Sequence, residues 1–90
     1  MCGIAGFVNL DGAPADIDLA ARMADMQRHR GPDDFGLGVF SFAEGSYRDV
    51  SRGTARVPGF EGALGFNRLK ILDLSDCGHQ PMANADRNIV

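Results

Sequence analysis

Glycine placement constrains this chain more than any other feature. Twelve of the ninety residues are glycine, and they cut the apolar sequence into short runs. A residue without Cβ permits tight turns and close backbone approach, so the pattern predicts a turn-rich, sheet-containing fold. Ninety residues make at most one small domain, which buries only about 60–65% of its unfolded surface.

Gly3 to Leu10 is expected to be a buried strand, with Gly6 where another backbone approaches closely. Asp11-Gly12 marks a turn. Ala15 to Arg28 predicts an amphipathic helix capped by Asp16, with Ile17, Ala20, Met23, Ala24 and Met26 as its apolar stripe. Arg28, His29 and Arg30 suit its last turn, and Gly31-Pro32 stops it. Phe35 to Phe42 and Tyr47 to Arg52 are expected strands joined by a hairpin turn over Ala43 to Ser46. Gly53 to Gly62, with Pro58-Gly59, predicts a loop. Ala63 to Phe66 and Leu69 to Leu74 are strand-like, Ser75 to Met82 irregular, and Arg87 to Val90 the start of another strand. A strand starting there still needs partners for its backbone, so the chain is expected to be a fragment cut short after Val90.

Composition removes several classes of function. A net charge of −3 gives no reason to expect nucleic acid as a partner. No apolar run approaches the roughly 20 residues that cross a bilayer, so no membrane partner is expected. The N-terminus lacks the basic and apolar regions of a signal peptide, and a cytoplasmic location follows as the expectation. Cys2 and Cys77 are the two cysteines; they make no disulfide framework, and both are expected to be free thiols.

Cys2 follows the initiator methionine directly. With Met1 removed it would hold a thiol nucleophile and a candidate amine base on one residue. Position alone equally fits a small buried residue beginning a strand. Three blocks bear on the choice: Met1-Cys2-Gly3-Ile4-Ala5-Gly6, then Arg28-His29-Arg30-Gly31-Pro32-Asp33-Asp34, then Arg68-Leu69-Lys70-Ile71-Leu72-Asp73-Leu74-Ser75 closing with Gly78-His79-Gln80-Pro81-Met82. Arg68 is a charge beside apolar strand residues, and a buried charge needs a partner that a substrate carboxylate would supply. Arg28 fits a solvated helix end, His29 a packing or capping residue, and Asp33 and Asp34 a turn fixed by backbone amides. Cys77 and His79 with Cys2 lack the paired spacings of a structural zinc site, so no metal ligands are expected.

In this order, the three blocks resemble the class II glutamine amidotransferase domain, most closely that of glutamine-hydrolysing asparagine synthetases. The resemblance implies an α+β fold of the N-terminal-nucleophile hydrolase type: stacked antiparallel sheets with flanking helices, αββα, of which residues 1–90 are the N-terminal part. It implies glutamine as substrate and Cys2 as the nucleophile, which forms a γ-glutamyl thioester and releases ammonia. Arg68 matches the arginine that binds the α-carboxylate, Ile71 and Leu72 line the pocket, and Arg30 supports the site. Ammonia would pass to a C-terminal, ATP-dependent synthetase domain that forms asparagine. ATP and Mg belong to that domain, and no cofactor is expected within these residues. The resemblance leaves a homodimer open.

The chain departs from that pattern in three places. Phe66 and Asn67 stand where many relatives place a histidine and its neighbour before the arginine. Residues 42–61 are expected to be an inserted hairpin. The Asn-Gly-Glu motif that supplies the oxyanion hole falls outside these residues, so this piece alone is expected to be nearly inactive. Loss of one oxyanion donor costs on the order of 10²–10³ in rate. Two rival readings stand beside this one: a glutaminase feeding another acceptor, and a non-catalytic regulatory or interaction domain that keeps the fold.

Overall fold

A computed structural model describes residues 2–69 and 79–90 of the chain. Its elements are β1 (Gly3–Val8), α1 (Ile17–Asp25), a 3-10 turn (Arg28–Arg30), β2 (Asp34–Ser41), β3 (Ser46–Val50) and β4 (Gly62–Arg68). The strands form one antiparallel sheet in the order β1-β4-β2-β3. The architecture is a small α+β fold, one antiparallel sheet with one helix against it. No second sheet is present among the described residues.

Alternation along the strands assigns the two faces of the sheet. In β4, Ala63, Gly65 and Asn67 share one face, and Leu64, Phe66 and Arg68 the other. The first face receives α1. Ile17, Ala20 and Ala21 of the helix region form a core with Ala15, Leu37, Val39 and Ala63. Small residues let the helix sit close: a Cβ on Gly65 would meet the Ala24 Cβ at 2.8 Å. Ile17, 1% exposed, contributes about 1.5–3 kcal/mol by burial. The start of the helix is as expected, because the Asp16 carboxylate accepts a hydrogen bond from the Leu19 amide at 3.3 Å.

The other face carries Ile4, Leu64 and Phe66, with residues 80–82 and Val90 against them. Gln80 lies so close over β2 that a Cβ on Gly36 would overlap its carbonyl oxygen. Tyr47 covers Gly38 in the same way. The Tyr47 hydroxyl donates to Asp49 at 2.9 Å, and Arg87 reaches both the Tyr47 carbonyl (3.1 Å) and the Asp49 carboxylate (2.8 Å). Burial first, then the bond to Asp49, raises the Tyr47 pKa well above its usual value. Burial works against the Asp49 carboxylate, yet the bonds from Arg87 and Tyr47 outweigh it and lower its pKa.

Several expectations are corrected. The first strand ends at Val8, and Leu10 is 96% exposed in the turn that follows. Ile4 is also largely exposed, because it faces away from α1. The helix ends at Asp25 and the chain tightens into the 3-10 turn, which leaves Met26 79% exposed rather than in the core. Strand pairing carries Phe66, Asn67 and Arg68 together in one strand. The 53–61 loop is not merely solvated, since Val57 and Phe60 pack on the core. Arg87 to Val90 is not a strand. Asn84 folds it back, its side-chain oxygen accepting the amides of Asn88 and Ile89 at 3.0 and 3.1 Å. The turns at Asp11-Gly12 and Ala43 to Ser46 form where expected, with φ positive at Gly12 and Gly45.

Candidate active site

The register places the sequence-derived candidates at one end of the sheet. Gly3 pairs with Asn67, so Cys2 lies one residue beyond, level with Arg68. Arg68 pairs with Asp34 on its other side. Residues directly opposite in an antiparallel pair share a face, so Cys2, Arg68 and Asp34 form a row across three strands. Adjacent strands are about 4.7–4.9 Å apart, which sets the spacing of that row. The Leu69 amide donates to Cys2 Sγ at 3.4 Å, which confirms that the alignment extends past the last paired residue.

Cys2 is exposed. Its carbonyl oxygen accepts from Arg30 Nε at 3.2 Å. Arg30 therefore holds the backbone of the residue that bears the thiol. The segment carrying Arg30 is itself pinned to β4. A Cβ on Gly31 would lie 2.6 Å from the Asn67 carbonyl oxygen, a contact that only glycine escapes. The Asp33 amide then donates to the Arg68 carbonyl at 3.0 Å.

Asn67 completes the frame from the helix side. It is 2% exposed, and its Nδ2 donates to the Ala24 carbonyl at 2.5 Å, which ties β4 to the C-terminal end of α1. Gln27 lies against Gly3, and its Oε1 is buried with no hydrogen-bond partner among the described residues. Arg68 is 7% exposed. Its burial beside an exposed thiol distinguishes it from Arg28, which is exposed at the 3-10 turn.

The Asp34 carboxylate is held at both oxygens. One accepts the Phe35 amide at 2.8 Å, a backbone bond of the expected kind but at the start of β2 rather than in a turn, and the other meets His79 Nδ1 at 2.8 Å. That second contact joins two sequence blocks across forty-five positions. Beside the row, a cavity of about 400 Å³ is lined by Arg28, Gly31, Asp34, Phe35, Arg52 and Asn67, among others; Cys2 does not line it. Arg52 closes its edge, stacked 3.9 Å from the Phe35 ring centre and paired with Asp25 at 2.5 Å. That hydrogen bond is the main reason the Asp25 pKa is lowered and the Arg52 pKa raised.

Cys2, Arg30 and Arg68 are thus brought to one corner. Ile71, Leu72 and Cys77 lie outside the described residues. Among the described residues no group of three His, Cys, Asp or Glu side chains is placed to hold a metal ion, and no helix is long and apolar enough to cross a membrane. Sequence reasoning missed Asn67 as a tether and Asp34–His79 as a link. A polar residue in an otherwise apolar strand was the available signal for Asn67. His79 stood in the third sequence block, but nothing local marked Asp34 as its partner, because that contact is set by folding.

Comparison with known proteins gives a consistent result. The family model described as glutamine amidotransferase domain matches residues 1–90. A Methanocaldococcus jannaschii protein that carries the name asparagine synthetase (glutamine-hydrolyzing) is 37% identical over 89 residues, covering 98% of this chain and 14% of that protein. One from Acanthamoeba polyphaga mimivirus with the same kind of name is 31% identical over 88 residues, covering 98% of this chain and 13% of its own length. The chain therefore spans about a seventh of the length of these relatives. No solved structure matches it significantly.

Proposed function

We propose, for a chain that belongs to the glutamine amidotransferase domain family, that it carries the nucleophile and substrate anchor of a glutaminase serving asparagine synthesis. Cys2 is the nucleophile. Its sulfur attacks the side-chain amide carbon of glutamine, and the carbonyl becomes a tetrahedral oxyanion. As that intermediate collapses, the C–N bond breaks and the nitrogen leaves as ammonia after taking up a proton. The α-amine of Cys2, freed by removal of Met1, carries that proton from the thiol. Water then cleaves the γ-glutamyl thioester, giving glutamate and the free thiol.

Arg68 receives the α-carboxylate of glutamine. A guanidinium fork grips both oxygens and fixes the amide at the other end of the substrate. Arg30 supports the nucleophile through the Cys2 carbonyl. Ile71 and Leu72 are proposed as pocket lining, and the oxyanion donors as residues outside these ninety. In this reading the chain is the N-terminal part of a domain of the N-terminal-nucleophile hydrolase type in a cytoplasmic protein. Ammonia passes to a synthetase domain, where ATP and Mg serve the ligation.

The single observation that carries this reading is the row across the sheet end. The register sets an exposed thiol level with a buried arginine on one face. A glutamine can span that gap with its carboxylate on one residue and its amide at the other. The relatives' names point to the same chemistry.

The test is covalent. The intact protein, shown by mass to have lost Met1, is treated with a diazoketone analogue of glutamine. One adduct on Cys2, prevented by excess glutamine, is expected. An adduct on Cys77 instead, or none, overturns the proposal.

A further inference from the structure

We propose that His79, acting through Asp34, is a positioning residue that sets how tightly Arg68 holds the α-carboxylate of glutamine. The inference rests on the glutaminase reading above. Asp34 stands directly opposite Arg68 in the β2–β4 register, on the same face. A carboxylate one strand from a guanidinium is the same kind of partner as the substrate carboxylate, so the two compete for Arg68. How strongly Asp34 competes depends on how its lone pairs are occupied.

Among the described residues, two of the donors that occupy them are the Phe35 amide, on one oxygen, and His79, on the other, each at 2.8 Å. Together they fix the carboxylate's rotation and draw on its negative charge. The Phe35 contact comes from the strand itself and is always present. His79 is the adjustable one, with its side chain 47% exposed while that of Asp34 is only 18% exposed. Its approach is set by the next residue, since Gln80 sits on Gly36, where a Cβ would overlap its carbonyl oxygen. The segment that delivers His79 is therefore pressed onto β2 two residues from Asp34. In this arrangement His79 restrains Asp34 and leaves more of Arg68 for substrate.

The prediction is specific to substrate binding. In the intact protein, His79→Leu raises the KM for glutamine about five- to tenfold and leaves kcat within about twofold. His79→Asn, whose amide can stand in for the Nδ1–H donor, brings KM back to within about twofold of the parent. Preference for glutamine over 4-aminobutanamide, which lacks the α-carboxylate, shrinks in His79→Leu. In an Asp34→Asn background, adding His79→Leu no longer changes KM, because the competing charge is gone. Glutaminase activity with an unchanged KM in His79→Leu overturns this inference alone. So does an equal loss in His79→Leu and His79→Asn, which marks a merely structural role. A parent protein without glutaminase activity removes the glutaminase reading and this inference with it.

Discussion

Two ends of the same sheet hold their polar groups in different ways. At the hairpin end, Tyr47, Asp49 and Arg87 are bonded to one another, and Arg87 also lies 5.4 Å from the Tyr47 ring centre. At the other end, Cys2, Arg68 and Asp34 are aligned on one face, and the exposed thiol accepts from the Leu69 amide at 3.4 Å. The first arrangement fastens residues 84–90 to β3. The second leaves a reactive group open beside a buried charge. Groups bonded to one another stabilise a fold, whereas an exposed thiol beside a buried guanidinium keeps a reactive atom within reach of solvent.

The largest effect is expected at Cys2. Cys2→Ala in the intact protein is expected to lower glutaminase turnover by more than about 10³-fold. An exposed side chain contributes little to folding, so its melting temperature should stay within about 1–2 °C of the parent. A large drop in melting temperature would make Cys2 a structural residue.

Next is the seam that supports the corner. Gly31→Val forces a side chain into the β4 backbone and is expected to destabilise by about 3 kcal/mol, read from denaturant unfolding. Wild-type stability in that variant would mean the Arg30 segment is not pinned to β4. Asn67→Ala removes the bond to the Ala24 carbonyl and should cost about 1–3 kcal/mol. It should also weaken glutamine binding, because β4 carries Arg68. Loss of stability with an unchanged KM would separate the tether from the site.

The smallest effect belongs to the hairpin end. The Asp49 pKa is lowered in the folded state, so its contribution is present above the unfolded carboxylate value near pH 4 and is lost as pH falls through the folded value. Asp49→Asn should therefore flatten the acid side of the stability curve below about pH 4. The pair is largely exposed, which limits the difference to about 1 kcal/mol. Tyr47 acts on the other side. Its raised pKa gives stability that is complete below about pH 10 and lost as pH rises above it. Tyr47→Phe should remove that alkaline loss.

Much of the fold was legible locally. The Asp16 cap, the turns at Asp11-Gly12 and Ala43 to Ser46, and the apolar runs of β1 and β2 follow from propensity and spacing. What misled was apolar content read as burial. Met26 and Leu10 are apolar, yet both lie just beyond an element's end, where neither packs on the sheet. Arg87 to Val90 resembled a strand, but Asn84 captures its amides before a neighbouring strand can. Asn67 and Arg68 were read between two strands, whereas pairing with both β1 and β2 carries the strand through them.

The candidate site divides the same way. Cys2, Arg30 and Arg68 were legible as residue types in three blocks, because the chemistry of amide cleavage and carboxylate binding needs a thiol and a guanidinium. The level placement of Cys2 and Arg68 on one face was not. That depends on which strand pairs with which, and a one-residue slip would turn Arg68 to the helix side. The reactive groups, the cap and the turns could be read from the chain, since these are properties of single residues and near neighbours. That β4 lies between β1 and β2, so that Cys2, Arg68 and Asp34 line up and Asp34 reaches His79, follows from the folded topology alone. Long-range hydrogen bonds set that pairing, and no local pattern contains them.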